Sequence, residues 1–199
     1  MFYHNCQADS LWLANQGFSL LSASRQERVK QCLSEPKMLQ LIASELMVTY
    51  VKSRAAEEGI PSEKFHWSVS HSHHYVIAVA CEEPIGVDLE RNRNIHPIPM
   101  GFFSEVDYQH IVTSNDPQEL LRVWTAKEAL LKCAGTDWSN PKIVDLSVTT
   151  KPVVWNNVAF YLKDCHPISD YVTTLCTKSL IPEPAFESVR AKDLEERIV

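Results

Sequence analysis

Two acidic side chains lie two positions apart in the apolar segment from Ile85 to Glu90. The segment reads as a β-strand, and residues two apart on a strand face the same side. Asp88 and Glu90 would therefore project together. A hard divalent cation with oxygen ligands would relieve their mutual repulsion. The alternative is a solvated strand end in which Glu90 pairs with Arg91 or Arg93.

A second charged group lies on a long predicted helix, whose apolar residues form one arc of the helical wheel: Leu120, Val123, Leu130, Leu131 and Ala134. Lys127 falls near the middle of this arc. It must snorkel, pair with an acid or face a ligand, because an unpaired buried charge is costly. Glu128 and Lys132 are four residues apart along one edge, with Trp124 one turn before Glu128. A surface Glu128–Lys132 pair would account for these two residues but not for Lys127.

Four histidines lie within nine positions, namely His66, His71, His73 and His74. Their number suggests zinc, but a strand-turn-strand placement does not impose the spacing of a known zinc site, and no cysteine joins them. The segment Ser70-His71-Ser72 at a strand end favours an anion instead, bound through hydroxyls, backbone N–H groups and imidazolium.

The first half of the chain contains the Asp88–Glu90 pair and the histidine segment, and its predicted helices and strands must position both. Hydrophobic periodicity predicts a short helix from Ser24 to Leu33. It also predicts a longer helix from Lys37 to about Glu57, which Pro36 opens. Strands are predicted over residues 65–70, 75–80 and 85–90.

The second half repeats this order. We predict a short helix from Phe103 to Val112. Asp116 and Pro117 are interpreted as the N-cap and first position of a longer helix, which runs to Cys133 and which Gly135 ends. Strands are predicted over residues 143–148, 158–162 and 171–176, and the tail over residues 182–199 ends in a short helix.

Two helices followed by three strands, twice over, predict an α+β fold. We expect two similar αα-βββ halves, residues 1–95 and 96–199, packed about a pseudo-twofold axis into one compact unit. Residues 43–47 of the first long helix also resemble residues 126–130 of the second, with Glu45 at the position of Glu128. Paired halves create a cleft at their junction, where we expect the site.

Composition excludes several classes of protein. The chain has 199 residues, 45% apolar and 22% charged, which is ordinary globular composition. Its apolar stretches are too short to cross a bilayer, and its N-terminus is not built like a signal peptide, so we predict a cytoplasmic protein without membrane contact. The six cysteines contain no C-x-x-C pair and are predicted to be reduced and mostly buried. A net charge of −6 argues against a nucleic-acid binder.

Taken together, these segments resemble the paired signature of the 4′-phosphopantetheinyl transferases. That signature reads roughly (V/I)-G-(V/I)-D and then (F/W)-(S/C/T)-x-K-E-(A/S)-x-x-K, and the chain matches it at residues 85–88 and 124–132. Ser70-His71-Ser72 looks like the family's N-x-S-H-S segment, with Ser68 in place of asparagine. Residues 102–104 resemble the segment between the signatures. The length of the chain resembles the surfactin-type branch, with two copies of the unit, rather than the short, trimeric holo-ACP synthase type.

The resemblance implies an enzyme that transfers 4′-phosphopantetheine from coenzyme A to a serine of an apo acyl or peptidyl carrier protein, releasing 3′,5′-ADP. The enzyme would be a monomer. Asp88, Glu90 and Glu128 would ligate Mg²⁺ on the coenzyme A pyrophosphate. Glu128 would accept the serine proton, and Lys132 would stabilise the departing oxygen of 3′,5′-ADP. By the same resemblance, the phosphates of coenzyme A would be contacted by Ser70, His71, Lys127 and Lys132.

The chain departs from the family pattern in two places. A shortened, acidic stretch over residues 58–64 replaces a basic G-K-P segment, and Thr49 lies where the first long helix usually has an arginine. Both changes remove anchors for the adenine or 3′-phosphate of coenzyme A, for which Lys37 or Arg25 could compensate. Two alternatives follow. The first is a catalytically silent relative that only binds a carrier protein, and the second is a metal-dependent phosphoester hydrolase that uses the same acidic cluster.

The duplication also predicts that only one of two symmetry-related sites keeps its chemistry. Glu45 echoes Glu128, but Ser44 and Thr49 lie where the two lysines would be. The strand that matches Asp88 and Glu90 is residues 171–173, which carry no carboxylate.

Overall fold

A computed structural model describes residues 1–93, 101–136, 145–146 and 152–198. The helices are Ser10–Trp12 (α1, continued by a π-helical turn over Leu13–Gly17), Ala23–Lys30 (α2), Glu35–Glu57 (α3), Glu105–Thr113 (α4), Glu119–Ala134 (α5) and Ala191–Ile198 (α6). The strands are Phe2–Asn5 (β1), His66–Ser72 (β2), Tyr75–Cys81 (β3), Ile85–Arg91 (β4), Val153–Trp155 (β5), Val158–Cys165 (β6), Tyr171–Thr177 (β7) and Glu187–Ser188 (β8). The predicted α+β class is confirmed.

The order of two helices followed by three strands occurs twice in the described residues, as α2-α3-β2-β3-β4 and α4-α5-β5-β6-β7. The pseudo-twofold axis and the division at residue 95 stay predictions. Contacts between residues group the chain into two units, Met1–Glu82 with Glu183–Val199 and Glu83–Pro182. This grouping places β4 in the second unit, although it follows β3 in the chain.

The first unit is built on a four-stranded sheet in the order β2-β3-β1-β8. The long helix α3 packs on this sheet, and the residues that predicted it, Leu39, Ile42, Leu46 and Tyr50, are buried. Helical periodicity succeeds here because one side of α3 covers the sheet. Four-residue strand β1 lies inside the sheet, between β3 and β8.

The second unit is built on a sheet in the order β4-β7-β6-β5, in which all three pairs are antiparallel. Helix α5 packs on β4 and β7. The register sets Asp88 opposite Thr174 and Gly86 opposite Cys176. Helix α5 covers β4, so the carboxylates that share a face with Gly86 lie beside that helix.

One predicted boundary is corrected. Helix α5 begins at Glu119 with Gln118 at the N-cap, so the prediction that Asp116 caps it is wrong. The Asp116 carboxylate accepts a hydrogen bond from the Gln118 amide at 2.8 Å and forms a turn that precedes the helix. The predicted end of α5 is confirmed, because Gly135 adopts φ +69° at the C-cap. The strand predicted over residues 143–148 lies outside the described residues apart from Asp145 and Leu146.

All six cysteines are free thiols, and four of them are buried, which confirms their predicted state. Among the described residues, no helix has both the length and the apolar character needed to cross a membrane.

Candidate active site

Gly86 sets how closely β4 and α5 approach each other. A Cβ atom at this position would lie 1.9 Å from the carbonyl oxygen of Ala129 and 2.7 Å from the amide nitrogen of Cys133. Both are backbone atoms of α5, so the helix rests directly on the strand. Since residues two apart on a strand share a face, Asp88 and Glu90 lie on the same face of β4 as Gly86.

This approach brings together one residue from the first signature and two from the second. Lys132 Nζ donates to Asp88 Oδ1 at 2.8 Å and to the carbonyl oxygen of Val87 at 3.0 Å. The same ammonium lies 4.0 Å from Glu128 Oε2. Asp88 is buried and Lys132 is partly exposed. The structure therefore places Asp88 and Glu128 on either side of the Lys132 ammonium in one charged cluster, and their roles in a site stay predictions.

Glu128 lies in an environment that disfavours its charge. Burial, and then the nearby Asp88 and Glu90 carboxylates, raise its pKa to about 8, although Lys132 acts in the opposite direction. Glu90 lies 4.0 Å from the guanidinium of Arg93, so the alternative contact predicted for this strand end is also present. The environment of Glu128 therefore favours its protonated form.

Lys127 does not join this cluster. Its ammonium lies 2.6 Å from Asp107 Oδ2, and the exposed fractions of the two side chains are 1% and 0%. Of the three situations that the sequence allowed for a lysine in the apolar arc, the structure shows pairing with an acid. Contact of Lys127 with phosphate stays a prediction.

Trp124 of the second signature packs with the aromatic residues between the signatures. It stacks on Phe102 with ring centroids 4.0 Å apart and meets Phe103 edge to face. Next to it on α5, the Thr125 hydroxyl lies 2.8 Å from that of Thr174 on β7. These contacts fix the middle of α5 on both sides, which explains an aromatic residue at this place in the signature.

Ser70 and His71 belong to the first unit. Ser70 is buried on β2, whereas His71 is exposed and lines a cavity of about 450 Å³. Arg28 and Lys37 line the same cavity, so three side chains that can carry positive charge surround it. Arg25, the other compensating cation suggested by the sequence, pairs with Glu45 at 2.5 Å.

The donor atoms near Lys132 fit Mg²⁺ in kind. Magnesium is held in proteins by one or two carboxylates together with phosphate oxygens and water, and Asp88, Glu90 and Glu128 supply carboxylates alone. Burial and then the Asp88 and Glu90 carboxylates raise the pKa of Glu128, and a divalent cation at this place would favour its ionised form. In the part of the chain that the structure describes, however, no three His, Cys, Asp or Glu side chains are already arranged to hold a metal ion. Metal ligation by these carboxylates therefore stays a prediction.

Asp107 was missed by the sequence interpretation, although a signal for it exists. Ser104 and Asp107 form a capping box at the start of α4, in which the Ser104 hydroxyl accepts from the Asp107 amide at 3.1 Å and an Asp107 oxygen accepts from the Ser104 amide at 3.3 Å. The spacing S-x-x-D before an apolar helix could have indicated this motif. That the same carboxylate binds Lys127 could not have been read from spacing alone.

Comparison with known proteins bears on the same segment. Residues 84–176 match a family model described as the 4′-phosphopantetheinyl transferase superfamily, the family that the signatures resemble. Among curated relatives, this chain is 32% identical over 83 residues to the 4′-phosphopantetheinyl transferase ffp of Bacillus subtilis, which covers 38% of this chain and 36% of that protein.

Two further relatives give similar values. The chain is 30% identical over 80 residues to the 4′-phosphopantetheinyl transferase Sfp of Bacillus subtilis (strain 168), covering 38% of this chain and 36% of Sfp. It is 32% identical over 88 residues to the 4′-phosphopantetheinyl transferase gsp of Aneurinibacillus migulanus, covering 41% and 37%. These matches confirm the resemblance to the surfactin-type branch, and they span little more than a third of the relatives' own length.

Proposed function

We propose that this protein transfers the 4′-phosphopantetheine group from coenzyme A to a serine of an apo acyl or peptidyl carrier protein and releases 3′,5′-ADP. One observation supports this most directly. The packing of α5 on β4 at Gly86 brings Lys132 within 2.8 Å of Asp88, which comes from the other signature, and Lys132 also lies 4.0 Å from Glu128 on its own helix.

Each residue of the cluster has a chemical part in this proposal. Glu128 accepts the proton of the carrier serine as its oxygen attacks the β-phosphate, a role that requires the ionised carboxylate. Lys132 offers its ammonium to the oxygen of the departing 3′,5′-ADP. Bound Mg²⁺, held by Asp88, Glu90 and Glu128, would supply neutralisation of the pyrophosphate charge.

We propose that one part of coenzyme A binds to the first unit. The cavity beside His71 holds Arg28 and Lys37, and it lies at the start of α3, whose N-cap residue Ser34 also lines it. Cationic side chains and the first N–H groups of a helix bind phosphate well. We propose that the 3′-phosphate of coenzyme A binds there, which would compensate for the missing basic segment. Ser70 is proposed to contact coenzyme A on the resemblance of Ser70-His71-Ser72 to the family's N-x-S-H-S segment alone.

A mass assay tests the transferase. The purified chain is incubated with coenzyme A, Mg²⁺ and two apo carriers, one acyl carrier protein and one peptidyl carrier domain. We expect the carrier to gain the mass of phosphopantetheine, and the gain to disappear when EDTA replaces Mg²⁺ or when the carrier serine is changed to alanine. If no carrier gains mass while the protein still binds them, the silent relative is the correct description and the proposal fails.

A further inference from the structure

The ion pair between Lys127 and Asp107 is the most completely buried charged contact that the described residues show, and the proposed chemistry leaves it unused. Its two atoms lie 2.6 Å apart, and neither side chain is exposed beyond 1%. Burying two charges in this way seldom increases stability over a well-packed apolar pair. The pair therefore calls for an explanation other than stability.

Asp107 connects three separate segments of the second unit. Its Oδ1 accepts from the Leu146 amide at 2.7 Å, ahead of β5. Its Oδ2 accepts from the Ser104 amide at 3.3 Å, at the start of α4, and contacts Lys127 of α5. These contacts hold the pKa of Asp107 below its ordinary value, even though burial by itself raises it. The Asp107 carboxylate is thus held in place and ionised, and α5 contacts it through Lys127.

Lys127 directly precedes Glu128, and the two side chains reach different neighbours. Lys127 reaches α4 through Asp107, whereas Glu128 lies near Asp88 of β4. Successive residues of a helix differ by about 100° around its axis, so any rotation of α5 that moves Lys127 also moves Glu128. At the outer radius of a helix, about 5–6 Å, a rotation of about 10° shifts a side chain by about 1 Å. A misplacement of about 1 Å can lower a rate on the order of 100-fold.

We propose that Asp107 is a positioning residue for Glu128 and that it acts through Lys127, which fixes the rotation of α5. This inference rests on the proposed function, since it concerns the residue that accepts the serine proton. It also gives the lysine of the second signature a part different from phosphate contact. A lysine that bound phosphate would lose affinity for coenzyme A when it is replaced, whether or not Asp107 is changed, whereas a positioning lysine needs the contact with Asp107 intact.

Steady-state kinetics separates these two roles. We would compare Lys127→Gln, Asp107→Asn and the double variant, in which two neutral amides replace the ion pair. Each single change is expected to lower kcat at least about tenfold while the KM for coenzyme A stays within about twofold. The double variant is expected to be more active than either single variant, because a neutral hydrogen-bonded pair replaces an uncompensated buried partner.

The chain offers a matched control. Glu119 of α5 contacts His110 of α4 at 2.7 Å, so it also joins these two helices by a charged contact, but it lies nine residues from Glu128. Glu119→Gln is expected to leave kcat and KM unchanged. If Lys127→Gln raises the KM for coenzyme A and Asp107→Asn changes neither constant, Lys127 contacts phosphate and the positioning proposal is overturned.

A spectroscopic readout keeps this test separate from the proposed function. In protein labelled with ¹³C at glutamate carboxyl carbons, the Glu128 signal is identified by its loss in Glu128→Gln. Asp107→Asn, or the double variant should the single one fail to fold, is expected to shift this signal, and Glu119→Gln is expected to leave it in place. An unshifted signal overturns the positioning proposal even in an active enzyme. A wild-type chain that modifies no carrier overturns the proposed function, and the signal then still decides whether Asp107 positions Glu128.

Discussion

A single methyl group at Gly86 should push strand β4 and helix α5 apart, and these two elements carry the residues of the candidate site. In Gly86→Ala the new Cβ would lie 1.9 Å from the Ala129 carbonyl oxygen, and ordinary contact begins near 3.4 Å. Strand β4 and helix α5 therefore have to move apart by about 1.5 Å, because backbone atoms cannot turn aside as a side chain does. Overpacking of this kind costs about 3 kcal/mol at the upper end of the usual range.

The consequences can be measured in two ways. For a chain of this size, such a loss corresponds to a fall in Tm of about 6–12 °C. Since β4 carries Asp88 and α5 carries Glu128, the same separation should lower kcat/KM for transfer on the order of 100-fold. Both values would be taken from thermal unfolding and from initial rates of carrier modification, measured well below the Tm of the variant.

Gly101→Ala is the matched control for Gly86→Ala. A Cβ at Gly101 meets no atom within 4 Å, and this residue also lies in the second unit. It should leave both Tm and rate near those of the wild type. A Gly86→Ala protein with wild-type Tm and rate would refute the close approach of β4 and α5 and, with it, the origin of the charged cluster.

Three further predictions follow from the same structure. Glu128→Gln should lower the transfer rate by about 10²–10⁴-fold while Tm is retained, since it removes a general base but keeps the shape of the side chain, and an undiminished rate would exclude Glu128 from the mechanism. Lys37→Met should raise the KM for coenzyme A severalfold without changing kcat. This increase should vanish with dephospho-coenzyme A, which lacks the 3′-phosphate. An equal increase in KM for both substrates would contradict the proposal that the cavity binds the 3′-phosphate. Burial lowers the pKa of His4, whose Nδ1 lies 2.8 Å from the Val189 carbonyl oxygen. The neutral imidazole should therefore contribute to the free energy of unfolding above pH about 6.5, and this contribution should be lost as pH falls. Urea titrations at several pH values should show a flatter pH profile for His4→Gln than for the wild type.

Local patterns in the sequence were sufficient to predict much of the fold. Helix α3 was predicted because its buried residues recur at helical spacing, and the strand β4 was predicted from its apolar alternation with Asp88 and Glu90. The start of α5 was predicted wrongly, because Asp116 and Pro117 are residues that favour helix starts and turns alike. The pairing between strands could not be predicted from local patterns. Nothing local to β4 indicates that it pairs with β7 some eighty residues later rather than with its chain neighbour β3.

Some features of the candidate site could likewise be predicted from the sequence, and others could not. Strand and helix periods placed Asp88 on one strand face and Glu128 with Lys132 on one helix edge, and the resemblance to the paired family signature predicted that they belong to one site. The partner of Lys127 could not be predicted. A helical wheel locates this lysine in the apolar arc but does not say which acid lies opposite, and Asp107 becomes that acid only when α4 packs against α5.

The charges of the cluster argue for a divalent rather than a monovalent cation. Asp88, Glu90 and Glu128 would carry three negative charges if all were ionised, and Lys132 offsets one of them directly. Burial, and then the Asp88 and Glu90 carboxylates, favour the protonated form of Glu128, whose pKa is raised to about 8. A protonated Glu128 cannot accept the serine proton. A cation that carries two charges removes the excess and frees the carboxylate to act as a base, so in the proposed function metal binding and proton transfer depend on the same electrostatic balance.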